Sequence, residues 1–310
     1  MTARQRTRTI VEALALLVAI VAGAWLLFRG TLYRPARPAP SRAQPEPKLD
    51  EAIVVAVSGE VVRLSPSGGT SALAVGQRLR ADDSLRTGRG GHTDLQIGAR
   101  SRLTVAEGTQ LTVRELTEKL HRFSLTRGRV AVDYQADGAR LLRIESADGS
   151  AVAETQAARF GMLSTGTAVA IATETGAVHL ASAQKSVEVR AGTQAIARAG
   201  KPPSGAEPIP AKLLLKVAGA APIRGHEPLC ADVDGTAPTG AEVLVDGAPA
   251  AVAEDGRFRV RVPAAPEKTT VTVEIRDASG RETQRIVPCG SGGAMARIKD
   301  FAIRWKRRRP

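Results

Sequence analysis

The chain has very few aromatic residues, and this scarcity narrows the functions that it can have. Phenylalanine, tryptophan and tyrosine together make up 3% of its 310 residues. Sugar-binding sites usually rely on flat aromatic faces for stacking. The regions predicted to fold offer only four such side chains, Phe123, Tyr134, Phe160 and Phe258. The sequence therefore argues against a lectin.

Potential metal ligands are also scarce, with two cysteines and four histidines in the whole chain. Zinc sites need such residues at short, recurring spacings. The histidines show no such spacing and have no neighbouring cysteine; they are His92, His121, His179 and His226. We predict no metal site and no cofactor, and we expect the histidines at surface or strand positions.

Asparagine is absent, whereas alanine, glycine, proline and arginine are abundant. This composition is typical of GC-rich coding. The net charge of +13 and the pI near 10.6 come mostly from arginine. A single arginine in this chain therefore carries little functional weight.

An apolar segment near the N terminus is long enough to cross a membrane. A hydrocarbon core of about 30 Å takes roughly 20 helical residues to span, and residues 9–28 reach that length if Glu12 lies among the headgroups. The alternative is a signal peptide cleaved near Ala22-Gly23-Ala24. The apolar run continues beyond that point, so we predict an uncleaved anchor at 9–28 behind a cytoplasmic tail at 1–8.

A stalk follows at residues 29–51, and its prolines make it stiff: Pro35, Pro38, Pro40, Pro45 and Pro47. Basic residues flank the anchor on both sides, but long domains translocate largely regardless of their charge. Two cysteines in the body also suit an oxidising compartment. We predict a single-pass protein of a bacterial inner membrane with its C-terminal body in the periplasm.

Residues 52–199 are predicted to form an all-β domain. Short runs rich in valine, leucine, isoleucine and threonine alternate with glycines about every ten residues, which is typical of short strands separated by turns. The glycines are Gly59, Gly76, Gly88, Gly98, Gly108, Gly128, Gly138, Gly149, Gly166, Gly176 and Gly192. Thr112 to Leu120 could instead form a helical turn.

Several motifs in this region resemble the periplasmic domain named after the ferric-citrate regulator, the FecR domain. The most specific is the Leu-x-Thr-Gly turn at Leu85 to Gly88; the others are Val57 to Val61, Thr93 to Ile97, Leu125 to Val130, Gly166-Thr167 and Thr175 to Val178. The resemblance covers about half of the chain. It implies a repetitive, solenoid-like all-β fold, often found in membrane-anchored signalling proteins that relay an outer-membrane state.

Two departures from the family pattern limit what the resemblance implies. The family's signalling members grip a sigma factor with a cytosolic N-terminal segment, and residues 1–8 are too few for that. An anti-sigma mechanism would then need another subunit. The second departure is minor: Gly98-Ala99-Arg100 stands where an Asp-Gly turn would be more typical.

A second β-domain is predicted at 213–289, after a proline-rich linker at 200–212. Phe258, Val260 and Val262 alternate with arginines, as expected of a half-buried strand. Asp246-Gly247 and Asp255-Gly256 are strong tight-turn signals. This architecture resembles the small immunoglobulin-like β-sandwiches of many bacterial surface proteins, and it implies no particular ligand.

The two cysteines, Cys230 and Cys289, lie near the ends of this predicted sandwich. A domain of this size has a thin core, and a disulfide is a common remedy. Closing such a loop adds about 4 kcal/mol in the chain-entropy model. We predict a disulfide; the alternative is two unpaired thiols in a cytosolic protein.

Three motifs suggest chemistry but lack the residues that the chemistry needs. Ser182-Ala183-Gln184-Lys185 matches the Ser-x-x-Lys of penicillin-binding enzymes, which place the serine at a helix start and need two companion motifs. Here the flanks predict a turn between strands. Asp232 to Gly235 lacks the later ligands of a calcium loop. Gly88 to Gly91 lacks the lysine and the helix of a phosphate loop. We predict no catalytic residue.

The C-terminal residues 290–310 form a basic tail. Met295, Ile298, Ala302 and Trp305 recur at helical spacing, which is typical of a helix lying on an anionic surface. The predicted surface-binding residues are Arg297, Lys299, Arg304, Trp305, Lys306, Arg307, Arg308 and Arg309. A disordered, solvated tail is the alternative. A second basic row, Arg257, Arg259 and Arg261, is most simply a soluble strand face.

The sequence thus predicts a non-catalytic envelope protein that acts in protein interaction, signalling or scaffolding. Its expected partners are the inner membrane, an envelope protein and an anionic lipid or cell-wall polymer, with no nucleic acid. The alternative is a ferric-citrate-type regulator that works through a separate cytosolic sigma or anti-sigma partner. A cell-wall enzyme, resting only on Ser182 and Lys185, is the third candidate.

Overall fold

A computed structural model describes residues 51–218, 232–262 and 270–288. All of them lie within one compact unit, Pro47–Pro310. These residues form strands and turns and no helix, which confirms the all-β prediction for them. Accordingly, none of the described segments is a helix able to cross a membrane. The predicted anchor at 9–28 lies outside the described residues.

Sixteen strands form a larger lobe. They are β1 Ala52–Ser58, β2 Val61–Leu64, β3 Thr70–Ala72, β4 Arg78–Leu79, β5 Ser84–Thr87, β6 His92–Ile97, β7 Ser101–Val105, β8 Gln110–Leu116, β9 Leu120–Gln135, β10 Leu141–Ser146, β11 Ala151–Thr155, β12 Ala157–Ser164, β13 Ala168–Ser182, β14 Lys185–Arg190, β15 Thr193–Arg198 and β16 Glu207–Pro208.

The pairing divides the larger lobe into two sheets that share the long strands β9 and β13. The first sheet runs β4-β1-β6-β7-β9-β12-β13-β15-β16. The second runs β3-β2-β5-β8-β9-β10-β11-β13-β14. Strands alternate between buried and outward residues, and the buried sides of both sheets contribute to one hydrophobic cluster. The two sheets therefore enclose a common core.

Two glycines allow the long strands to change sheets. Residues of β9 before Gly128 pair in the second sheet and those from Gly128 onward pair in the first. Gly176 marks the reverse change in β13, from the first sheet to the second. Their φ angles are +89° and +77°, in the left-handed region that glycine enters without a steric penalty. A Cβ at position 128 would also lie 2.5 Å from Thr109 Cα. Only glycine fits such a crossing.

The solenoid-like arrangement expected from the family resemblance is not what the strand pairing shows. A solenoid stacks successive coils, whereas the pairs in the larger lobe are antiparallel with the exception of β9 with β10. Short turns connect neighbours such as β6 with β7 and β12 with β13, and a short turn can join only antiparallel strands. The alternative helical turn at Thr112 to Leu120 is also wrong, because β8 continues to Leu116 in register with β9.

Seven further strands form a smaller lobe. A three-stranded sheet, β17-β18-β21, and a four-stranded sheet, β20-β19-β22-β23, share one hydrophobic cluster. Asp246-Gly247 form a two-residue turn between β19 and β20, as predicted, with φ angles of +50° and +79°. The strands are β17 Lys216–Ala218, β18 Asp232–Thr236, β19 Glu242–Val245, β20 Ala248–Ala250, β21 Arg257–Arg261, β22 Thr270–Arg276 and β23 Glu282–Pro288. The immunoglobulin-like character of this lobe stays a prediction.

Candidate functional site

The smaller lobe docks on the outer face of the first sheet, where its backbone approaches Gly161 of β12. The carbonyl of Ala278, in the turn between β22 and β23, lies against this glycine: a Cβ at position 161 would be 1.8 Å from the Ala278 oxygen. Arg129 Nε donates a hydrogen bond of 3.2 Å to the same oxygen. We call this contact region the seam; its residues are Glu107, Arg127, Arg129, Gly161, Glu242, Arg276 and Ala278.

An apolar patch beside Gly161 explains why the lobes pack together here. Leu163, Ala170, Ala172 and Ile196 of the larger lobe form one buried cluster with Ala278. In β12 the alternation of buried and exposed residues stops at Phe160, and every residue from there to Ser164 is buried. The smaller lobe thus removes from water an apolar face that the larger lobe would otherwise expose, which stabilises docking.

Two ion pairs cross the seam. Arg276 of β22 contacts the Glu107 carboxylate of the larger lobe, and it lies 3.2 Å from Glu274 and 3.3 Å from Glu282 within its own lobe. Arg127 Nε lies 3.5 Å from Glu242 Oε1. Because the side chains of Arg276 and Glu242 are only 15% and 10% exposed, separating the lobes would return both charges to water.

The two seam carboxylates differ in the direction of their pKa shifts. Burial raises the pKa of Glu242, and the nearby Arg127 and Arg276 offset only part of this effect. Burial would also raise the pKa of Glu107, but the Gly90 N–H and Arg276 outweigh it, so this pKa is lowered. The charge of Glu107 is therefore favoured by its own lobe and by Arg276 across the seam, whereas burial at the seam disfavours the charge of Glu242.

Two cavities flank the ion pair between Arg127 and Glu242. One, of about 610 Å³, is also lined by Arg198 and Glu254. The other, of about 590 Å³, is also lined by Glu107 and Arg276. Arg127 and Glu242 line both cavities, so the ion pair lies between them. The seam thus combines a buried apolar contact with ion pairs that border two cavities.

The Glu107 pair gives a testable pH dependence. A carboxyl whose folded pKa is lowered adds stability that is present above its unfolded pKa, about 4.3, and is lost as the pH falls through the folded value. We expect Glu107→Gln to lower the unfolding free energy by about 1–3 kcal/mol at pH 7 and to flatten the acid limb of the stability curve. Thermal unfolding from pH 3 to pH 7 measures both effects.

The matched control is Glu254→Gln, because Glu254 forms an exposed pair with Lys201 that also joins the smaller lobe to the larger. Lys201 also lowers the pKa of Glu254, but exposed pairs contribute little to stability, so this variant should change the pH profile much less than Glu107→Gln. Glu242→Gln should change the unfolding free energy in the opposite sense to Glu107→Gln. A carboxyl whose folded pKa is raised loses stability as the pH rises through that pKa, and the glutamine removes this loss. Equal effects of the Glu107 and Glu254 variants would contradict this assignment.

The residues predicted to form the disulfide, Cys230 and Cys289, lie outside the described residues. So do the predicted surface-binding residues Arg297, Lys299, Arg304, Trp305, Lys306, Arg307, Arg308 and Arg309, and these assignments stay predictions. The described strand residues Arg257 and Arg259 lie on the exposed side of β21, where Arg259 pairs with Asp234 at 2.7 Å.

The Ser-x-x-Lys motif is a β-hairpin turn, as its flanks predicted. Ser182 and Lys185 are cross-strand partners at the ends of β13 and β14. Ala183 and Gln184 between them have φ angles of +47° and +61°. Ser182 Oγ lies 3.4 Å from the Arg198 carbonyl oxygen, to which it donates. The motif therefore does not have the helical geometry that serine–lysine acylation requires.

The other candidate motifs also have structural roles. Asp232 to Gly235 is strand β18 rather than a loop. In Gly88 to Gly91, the Gly90 N–H donates to Glu107 at 2.6 Å, so a carboxylate of the same chain occupies the loop. His121 is buried against Tyr134, with its Nδ1 3.1 Å from the hydroxyl, whereas His92 and His179 are exposed. Among the described residues no three metal-ligating side chains come together.

The seam could not be predicted from the sequence. Only Gly161 left a detectable signal, because an isolated glycine within a strand often marks a close backbone approach. Glu107 and Arg276 are 169 positions apart, and neither belongs to a recognisable motif. The seam charges are ordinary members of a chain rich in arginine and glutamate, so composition could not single them out.

The profile of the family described as FecR protein matches residues 83–197, from β5 into β15. This confirms the resemblance inferred from the Leu85 to Gly88 turn for those residues. Two crystal structures of a protein from Parabacteroides distasonis ATCC 8503, provisionally named as an anti-sigma factor, match with 13% and 12% identity and a TM-score of 0.35 each. Each match covers 39% of this chain and 59% of the other. No curated protein matches the sequence.

Proposed function

We propose that the chain is a non-catalytic regulator of envelope signalling. The observation that carries this proposal is the FecR match over residues 83–197, which covers most of the larger lobe. In this proposal the anchor at 9–28 and the stalk at 29–51 hold the body on the periplasmic side of the inner membrane. The larger lobe contacts an envelope protein, and its binding is coupled to the docking of the smaller lobe.

The structure of the seam supports the coupling. The smaller lobe covers an apolar face of the FecR-like lobe and is held there by charges that border two cavities. A partner that competes for this face, or that prefers the undocked form, would shift the docking equilibrium.

The smaller lobe is proposed to be an immunoglobulin-like β-sandwich closed by Cys230 and Cys289, and the basic tail is proposed to rest on an anionic envelope surface.

Transcript profiling tests the regulatory role. Deleting the gene should change a narrow set of transcripts that share one sigma factor, and the wild-type chain should restore them. The variant Ser182→Ala is the matched control: it should retain the fold, since it removes only one long hydrogen bond of 3.4 Å, and it lacks the serine on which a cell-wall enzyme would depend. Full restoration by this variant supports the regulator. Altered wall composition without any transcript change would contradict it.

The compartment is tested separately with a membrane-impermeant thiol reagent on spheroplasts. Labelling of Cys230 and Cys289 from outside, and only after reduction, is expected for an exported body with a disulfide. Labelling only after lysis would contradict the periplasmic location.

A ferric-citrate-type regulator that acts through a separate cytosolic partner is the second candidate, and the FecR match also supports it. The two candidates differ in the protein that binds to the cytosolic side. Affinity purification of the full chain from membranes should recover a sigma or anti-sigma factor in the second case. Recovery of envelope proteins alone supports the first.

A further inference from the structure

Strand β14 is a sheet edge that pairs with β13 on one side and with no described strand on the other. An open edge is a template for pairing with another strand, and proteins usually shorten or cover such edges. The first sheet ends at β4 and at β16, which have two residues each, and β16 pairs with only the first part of β15. The chain after β15 covers that edge, because Ser204 exchanges hydrogen bonds with the Ile196 backbone at 2.8 and 3.0 Å. The second sheet ends at β3, of three residues, and β14, of six. Among the described strands of the larger lobe, β14 is the long edge without a cover.

The hairpin determines which backbone groups of β14 point outward. Ser182 and Lys185 close a two-residue turn, so they form a hydrogen-bonded pair and the pairs alternate from there. The bond of 3.1 Å from the Ala191 N–H to the Gly176 oxygen continues this alternation. The N–H groups of Ser186, Glu188 and Arg190 therefore point away from β13. They are available to a further strand.

The side chains of β14 do not block such a strand. The charge of Glu188 is neutralised by Arg190, whose two guanidinium nitrogens lie 3.0 and 2.7 Å from one carboxylate oxygen. Val187 faces the core side of the sheet but is only half-buried at the edge. A strand added beside β14 would cover the rest of this valine.

We propose that β14 pairs antiparallel with β14 of a second copy of this chain, with the two-fold axis at Val187. In an antiparallel pair, the residues that hydrogen-bond across the new interface must lie opposite each other. The outward-pointing residues of β14 are even-numbered, so only registers that pair even-numbered residues with each other are possible. An axis at Glu188 would oppose two like charges, which is destabilising. With the axis at Val187, Ser186 faces Glu188 of the second copy, and the two Val187 side chains meet in a non-hydrogen-bonded pair. The second sheets of both copies then become continuous.

Pairing of this kind buries little surface, so its affinity is low in solution. Attachment of both copies to one membrane would raise their effective concentration. This part of the inference rests on the proposed anchor. The pairing itself does not, because it follows from the geometry of β14.

Site-specific cross-linking of the full chain in membranes tests the pairing. Under mild oxidation, Val187→Cys should give a disulfide-linked dimer, because the two β-carbons are closest in a non-hydrogen-bonded pair. The unmodified chain gives the background from Cys230 and Cys289. Ser71→Cys, on the exposed short edge strand β3, measures random collision.

A proline variant tests the hydrogen bonds. Glu188→Pro in the Val187→Cys chain removes one outward donor from each copy and leaves the bonds to β13 in place, so the dimer yield should fall at least about tenfold. Glu188→Ala in the same chain is the matched control and should cross-link well. An unchanged melting temperature shows that the proline variant folds.

Three outcomes would overturn the proposal: a Val187→Cys yield no higher than that of Ser71→Cys, a stronger cross-link from Glu188→Cys than from Val187→Cys, or equal yields of the proline and alanine variants. Failure of the proposed function can be distinguished, because cross-linking by the purified chain at high concentration does not depend on compartment or on transcription.

Discussion

Replacing Gly128 by alanine is expected to destabilise the larger lobe by about 2–5 kcal/mol, because the change combines backbone strain with a steric clash. Gly128 has a φ of +89°, and a Cβ there would lie 2.5 Å from Thr109 Cα. Thr109 lies just before β8, where its carbonyl accepts from the Thr87 N–H at 2.9 Å and its hydroxyl accepts from the Arg129 N–H at 3.0 Å, so it cannot move without disturbing these bonds. Chemical denaturation of the purified chain measures the loss.

Gly149→Ala is the matched control. Gly149 also has a positive φ, +69°, but no atom lies within 4 Å of the position that its Cβ would occupy. This variant therefore reports the conformational cost alone, about 1–2 kcal/mol. Equal losses for the two variants would mean that the packing against Thr109 is not what makes glycine necessary at the crossing. Gly176→Ala should resemble Gly128→Ala, since its Cβ would lie 2.4 Å from the Ala157 oxygen.

Replacing Gly161 by valine is expected to separate the two lobes while the larger lobe stays folded. A Cβ at this position would lie 1.8 Å from the Ala278 oxygen, well inside contact distance. The valine would point out of the first sheet, away from the core, so the cost falls on docking rather than on the sheet. Loss of docking also breaks the pair between Arg276 and Glu107. Small-angle X-ray scattering should show a larger radius of gyration.

Ala157→Val is the control for this experiment, because Ala157 lies in the same strand on the same side of the sheet and is exposed. It places the same valine side chain on that side of the strand without touching the smaller lobe, and the radius should not change. A radius that stays unchanged in Gly161→Val would contradict the docking contact. Loss of the unfolding transition of the larger lobe in that variant would show instead that Gly161 is needed for the sheet.

Sequence and structure agree wherever the determining interaction is local. The alternation of Phe258, Val260 and Val262 with arginines predicted strand β21, and Asp246-Gly247 predicted the turn between β19 and β20. The flanks of Ser182 and Lys185 predicted a hairpin turn instead of a catalytic helix. In each case a few adjacent residues favour one backbone conformation.

The sequence by itself therefore determined that the described chain is built of short strands and tight turns, and a few motifs indicated the FecR-like segment. Only the tertiary structure decided that β9 and β13 cross between sheets, that the smaller lobe covers the apolar face around Leu163, and that Glu107 meets Arg276. Alternation specifies which side of a strand is buried but not which strand or lobe buries it. That choice depends on contacts between residues far apart in the chain, which leave no local pattern.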